Sequence, residues 1–182
     1  RAGNDSDDPS EEDQTLNPFV LTEGYYYRVY NKSTNKVLDI AGQSSDEGAN
    51  VVIWSSEYER RTQLWEIKQV GDYFQLINSA TGLAFNDPSP TQEVGTPLNM
   101  AIPNETDERQ LWKFVTVNEN GNYNIINVYT DHAINNSGGA SNDGNNILSY
   151  TNDNRNSESN NRQWRIVPEE IIPDYIPEEV KN

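Results

Sequence analysis

The chain has 182 residues, enough for one domain with short extensions, and a formal net charge of −16. That acidity opposes nucleic-acid binding, which depends on phosphate neutralisation by clustered Lys and Arg, and it gives no help at an anionic membrane surface. With no cysteine there is no disulfide framework, zinc–thiolate site or thiol nucleophile, and no apolar run reaches the about 18 residues of a transmembrane helix.

In chain order, residues 1–23 come first, with seven acids against one Arg. The stretch from Asn4 to Asp13 is too polar to offset its ordering entropy, so residues 1–23 are expected to form an acidic, mobile linker. Such a tether, on a chain that opens at Arg1 without a Met, points to an extracytoplasmic protein: secreted, periplasmic or held at a cell surface.

Short segments of alternating polarity follow, among them Tyr27-Arg28-Val29-Tyr30-Asn31, Val37-Leu38-Asp39-Ile40 and Val51-Val52-Ile53-Trp54. They are broken by turn clusters such as the one from Gln43 to Gly48. No stretch holds an apolar helical stripe over three turns, so the chain is read as all-β. The first segment returns as Phe74-Gln75-Leu76-Ile77-Asn78 and Tyr123-Asn124-Ile125-Ile126-Asn127, at steps of 47 and 49 residues. Gln63-Leu64-Trp65-Glu66-Ile67 returns as Gln110-Leu111-Trp112-Lys113-Phe114 and Arg162-Gln163-Trp164-Arg165-Ile166, at steps of 47 and 52.

Two unrelated motifs in one register define a threefold internal repeat, at about residues 25–70, 72–117 and 121–167, within a domain spanning 24–167. Three such units are too few for a propeller. They can instead close around a pseudo-threefold axis, where Trp65, Trp112 and Trp164 meet in one core. Trp54 has Ala101 and Tyr150 as its counterparts, a set that one packed core position does not accommodate, so it is expected at the surface. Residues 168–182 follow as an acidic C-terminal arm. Its apolar residues, Ile171, Ile172, Tyr175 and Ile176, stand among prolines and suggest an extended segment lying on the barrel near the chain start.

Catalytic chemistry is not signalled. The single histidine, His132, stands in a turn-like sequence and reads as solvated or structural. Carboxylates cluster at Asp46-Glu47, Glu57 with Glu59, and Asp107-Glu108, all in turn-rich sequence, and read as solvated surface rather than a glycosidase pair. The basic doublet Arg60-Arg61 is likewise expected to be a solvated turn. No metal-ligand spacing is present, and neither a metal nor a cofactor is expected.

The repeat of aromatic-x-aliphatic-x-Asn, Leu-Asp strand, Trp-ended strand and Gln-x-Trp resembles the ricin B-chain-like lectin family over residues 25–167. The resemblance implies a β-trefoil: a six-stranded barrel capped by three hairpins, with one shallow sugar pocket per repeat. Each pocket would take an Asp from the Leu-Asp strand, an aromatic platform with a Gln two residues before it, and an Asn-Gln pair before the repeat Trp.

The underlying chemistry is general: a ring stacks on sugar C–H groups while carboxylate or carboxamide groups hydrogen-bond the hydroxyls. In the first repeat Asp39, Trp54 and Gln63 match, with Val52 and Thr62 departing. In the second, Phe85 stands for Asp, Ala101 for the platform and Arg109 for Asn, although Asn99 could replace the Gln. In the third, Asn135 stands for Asp, Leu148 for the first Gln and Arg162 for the second, while Tyr150 is the platform and Asn161 matches.

Asp39, Trp54, Gln63, Asn135, Tyr150 and Asn161 are therefore the candidate carbohydrate-binding residues of a non-catalytic, weakly glycan-binding module. Glycan is the expected partner. The other reading is a protein-interaction trefoil with degenerate pockets, or an accessory domain of a glycan-processing system.

Overall fold

The computed structural model describes residues 18–90, 93–117, 120–152 and 159–180. The first repeat contributes β1 (Tyr25–Asn31), β2 (Val37–Ile40), β3 (Val51–Trp54) and β4 (Trp65–Val70). The second has β5 (Tyr73–Asn78), β6 (Ala84–Asn86), β7 (Thr96–Pro97), β8 (Asn99–Ala101) and β9 (Trp112–Thr116). The third has β10 (Tyr123–Asn127), β11 (Ala133–Asn136), β12 (Ile147–Tyr150) and β13 (Trp164–Ile171). All the strand pairings are antiparallel, and β1, β4, β5, β9, β10 and β13 close on themselves into a six-stranded barrel. Hairpins β2–β3, β6–β8 and β11–β12 cap one end, so the fold is a β-trefoil. Among the described residues no helix is long and apolar enough to cross a membrane.

Both repeat motifs have a physical reason. Trp65, Trp112 and Trp164 are fully buried. Each indole N–H donates to the carbonyl of Leu38, Phe85 or Ile134, at 3.2, 3.1 and 3.2 Å, which ties β4, β9 and β13 each to the hairpin of its own repeat. The motif Asn is also buried in each repeat and reaches across a repeat boundary. Asn31, Asn78 and Asn127 donate to the carbonyls of Asn161, Thr62 and Arg109, each in the preceding unit around the axis. The Asn carboxamides also accept from the turns that follow. In those turns Asn35, Gly82 and Asp131 take left-handed backbone at φ 58°, 72° and 58°, a conformation open to Gly and tolerated by Asn and Asp.

The tether expectation for residues 1–23 needs correcting at its end; residues 1–17 lie outside the described residues. Phe19 inserts at the barrel mouth, with its ring edge-on to Phe74, Phe114 and Tyr123 at 5.3, 4.9 and 5.7 Å. An aromatic ring there covers the apolar end of the barrel axis, and this burial outweighs the polarity of the residues before it. At the other terminus β13 runs past residue 167 to pair Ile171 with Tyr25. Ile172 then donates to the Gly24 carbonyl, and the Tyr175 ring packs so close to Gly24 that a Cβ there would meet it at 3.1 Å.

Candidate functional site

The shared Trp bond sets the register between repeats. Leu38, Phe85 and Ile134 are equivalent, so the residues after them, Asp39, Asn86 and Asn135, are equivalent too. This corrects the placement of Phe85 in the Asp position: Phe85 is core, stacked on Trp112 at 4.5 Å, and Asn86 occupies the site position. Hairpin pairing makes Trp54, Ala101 and Tyr150 equivalent, as it does Val52, Asn99 and Leu148. The 3₁₀ turns Arg61–Gln63, Glu108–Gln110 and Asn160–Arg162 align Thr62 with Arg109 and Asn161, and Gln63 with Gln110 and Arg162. One residue before these turns stand Arg60, Asp107 and Ser159.

Gln63, Gln110 and Arg162 turn out to be loop fasteners. Each donates to the carbonyl of the residue just after the platform position: Ser55 at 2.9 Å, Ile102 at 2.8 Å and Thr151 at 2.5 Å. Gln63 is buried, its carboxamide oxygen accepts from Glu57 N–H at 2.9 Å, and its amide also reaches Asp39 at 3.2 Å.

The first pocket is filled from within. Asp39 is completely buried; Oδ1 accepts from Ile40 N at 2.7 Å and Thr62 Oγ1 at 2.6 Å. Arg60 Nε lies 2.7 Å from Asp39 Oδ2, although its N–H is not aimed along that line. The same guanidinium sits over Trp54, 4.4 Å from the ring centroid, with Glu57 3.6 Å away on its outer side. The Arg60 side chain is only 10 % exposed, which corrects its reading as part of a solvated turn. Charge-assisted pairing and a cation–π contact hold a cation where the turn sequence suggested only solvent. Arg61, by contrast, is exposed and pairs with Glu170. Asp143, half-exposed, accepts from Ser55 N and Oγ at 2.8 and 2.9 Å and braces the loop after Trp54. Lys36 beside it, with help from Ser55, holds its carboxyl below the usual carboxylate value.

The second pocket has no platform, and its polar residues bond one another: Asn86 Nδ2 donates to Asn99 Oδ1 at 2.9 Å. Arg109 is turned towards the carbonyls of Asp87 and Ser89 and lies over Tyr129. Asp107, at the Arg60 position, caps its own turn.

The third pocket is open. Asn135, Ser137, Gly138, Leu148, Tyr150, Thr151, Ser159, Asn161 and Arg162 line a cavity of about 620 Å³. Tyr150 is 41 % exposed at its rim, whereas Asn135 is 8 % exposed at its base. Among the described residues, the carboxamides of Asn135 and Asn161 and the Tyr150 hydroxyl have no protein hydrogen-bond partner. Polar groups left this way in a cavity are positioned to bind an incoming ligand's hydroxyls. Gly139 (φ 66°) lets the backbone pass so close to Asn161 that a Cβ would stand 2.7 Å from its Oδ1.

His132, expected to be solvated or structural, is buried. Its Nδ1 is 2.8 Å from Ser149 Oγ, which in turn donates to the buried Asp87 at 2.7 Å. Serine is bonded directly to the carboxylate here, the inverse of the order a nucleophile–base relay needs. Sequence reasoning missed both this network and Arg60, because neither lies in a repeated motif. The Phe85 placement could have been read correctly by counting 27 residues back from Trp112, as Leu38 stands 27 before Trp65.

A family model described as "Ricin-type beta-trefoil lectin domain-like" matches residues 14–101 and 61–152, overlapping spans that together cover most of the chain. No curated protein sequence matches. Among solved structures, the designed threefold-symmetric protein ThreeFoil is 23 % identical with TM-score 0.72, over 79 % of this chain and 99 % of that one. An exo-β-1,3-galactanase from Clostridium thermocellum, 24 % identical, also has TM-score 0.72, over 82 % of this chain but only 31 % of that one. The ricin B-like lectin of Macrolepiota procera, solved with lactose, is 16 % identical with TM-score 0.62, over 83 % of this chain and all of that one. At these identities the structural likeness establishes the fold.

Proposed function

Because the chain belongs to the ricin-type β-trefoil lectin domain-like family, we propose that it is a non-catalytic carbohydrate-binding module with its working pocket in the third repeat. The observation that carries this reading is the open cavity holding an exposed aromatic ring and two carboxamides that have no protein partner among the described residues. Tyr150 stacks on a sugar face, and Asn135 and Asn161 take the hydroxyls. Asp39, Trp54 and Gln63, the other residues singled out from the sequence, belong to the pocket that Arg60 fills and leave a ligand no room while it stays there. One shallow site with neutral partners implies a dissociation constant near millimolar, about −4 kcal/mol.

The module acts outside the cytoplasm, on glycan rather than nucleic acid. The galactanase match, of which it spans under a third, fits a targeting domain attached to a glycan-processing protein. A second reading, a protein-interaction trefoil, draws on the one filled pocket and the one lacking a platform. A panel of galactosides, xylans and mannans separates the two. Binding that is lost in Tyr150→Ala, with the fold intact, is the expected result; silence of the unaltered chain across the panel at millimolar sugar would favour the protein-interaction reading.

A further inference from the structure

We infer that Arg60 is a built-in occupant of the first-repeat pocket, and that beneath it lies a second glycan site held shut by this one side chain; this rests on the trefoil pockets being glycan sites. Three features carry it. The Arg60 guanidinium covers one face of the Trp54 ring, 4.4 Å from its centroid, and so takes a stacking surface from any sugar. It also approaches Asp39 Oδ2 at 2.7 Å, the oxygen a sugar hydroxyl would use. It thus occupies both places a bound sugar would need, the ring face by a cation–π contact and the carboxylate edge by charge pairing. Finally, the equivalent position in the open third pocket is Ser159, too short to reach its platform. Of the differences between the two pockets, Arg against Ser at this place is the one that puts a side chain over the platform ring.

Removing Arg60 does not strip Asp39 of partners. Its carboxylate keeps the Ile40 N–H, the Thr62 hydroxyl and the Gln63 amide. Trp54 is also braced independently, because Asp143 holds Ser55 and the Gly144 backbone passes the indole edge. The platform and the carboxylate therefore stay in place when the guanidinium goes.

The test substitutes Arg60→Ser, copying the third repeat, alone and together with Tyr150→Ala. Each protein is titrated with lactose and N-acetylgalactosamine and probed on the same panel of galactosides, xylans and mannans. Trp65, Trp112 and Trp164 are fully buried, so Trp54 is the tryptophan that sugar or acrylamide can reach. Arg60→Ser is expected to raise acrylamide quenching, add a second binding site, and keep binding when Tyr150 is removed, with the tryptophan emission now responding to sugar. A panel on which Arg60→Ser with Tyr150→Ala binds nothing overturns the inference, as does a Trp54 that already responds to sugar in the unaltered chain. The converse substitution, Ser159→Arg, does not depend on the first pocket folding correctly. It is expected to weaken third-pocket binding by at least about tenfold, and unchanged affinity there would contradict the occluding role. If the unaltered chain binds through Trp54 and not Tyr150, this inference and the third-pocket assignment both fall; if it binds through Tyr150 and Arg60→Ser adds nothing, only this one does.

Discussion

The first and third pockets stand on equivalent hairpins and 3₁₀ turns and differ in where their polar groups point. In the first, Asp39 accepts from Ile40, Thr62 and Gln63, and Arg60 completes its shell. In the third, the Asn135 and Asn161 carboxamides have no protein partner among the described residues, around an open cavity. The pocket closer to the family pattern is thus the one whose hydrogen-bonding capacity is spent on the protein. A matching residue identity is not an available residue, because a buried carboxylate recruits whatever donors are near.

The contrast can be broken at several strengths. The largest effect is expected outside both pockets: Trp112→Ala, in the shared core, should cost about 3 to 5 kcal/mol in denaturant unfolding, while Trp54→Ala should cost far less. Equal losses would make Trp54 core and dissolve the comparison. Next, Asp39→Ala leaves a largely buried Arg60 with Glu57, at 3.6 Å, as its carboxylate partner among the described residues, and should destabilise by about 3 kcal/mol. Asn135→Ala, which breaks no side-chain hydrogen bond among the described residues, should cost under about 1 kcal/mol. By residue type alone Asp39→Ala would remove binding and spare the fold; the buried contacts reverse that expectation. Gly139→Ala should push the Asn161 side chain aside and weaken sugar binding several-fold, with the melting temperature moving only by the strain of a left-handed alanine.

The smallest effect concerns pH. The Asp143 pKa is lowered by Lys36 and Ser55 in the folded chain, so its contribution is present above its ordinary value and disappears as pH falls through the depressed one. The loop after Trp54 should therefore loosen only in acid below the usual carboxylate range, and Asp143→Asn should remove that acid-dependent step from amide-exchange profiles.

Much of the fold was legible in the sequence, because the Trp and Asn motifs each do the same thing in every repeat. The indole N–H bonds its hairpin, and the Asn ties one repeat to the one before. The platform equivalence of Trp54, Ala101 and Tyr150 was legible too, since period alone aligns them. Phe85 was misplaced by one position because the short β6 strand offers little alternation to count from. Gln63 reads as a ligand-binding residue and works as a loop fastener, since a side-chain amide serves a backbone carbonyl as readily as a sugar hydroxyl. Arg60 was read as part of a solvated turn for a different reason. A charged doublet in a turn carries no periodic signal, and only the three-dimensional approach of its guanidinium to Trp54 and Asp39 reveals its part.

The claim that one pocket is open and its twin closed is tested most directly by following the Trp54 indole N–H and the Tyr150 ring resonances while the panel sugar that binds is added. The Tyr150 signals are expected to shift with saturation while the Trp54 signal stays still. A moving Trp54 beside an unmoved Tyr150 would contradict it.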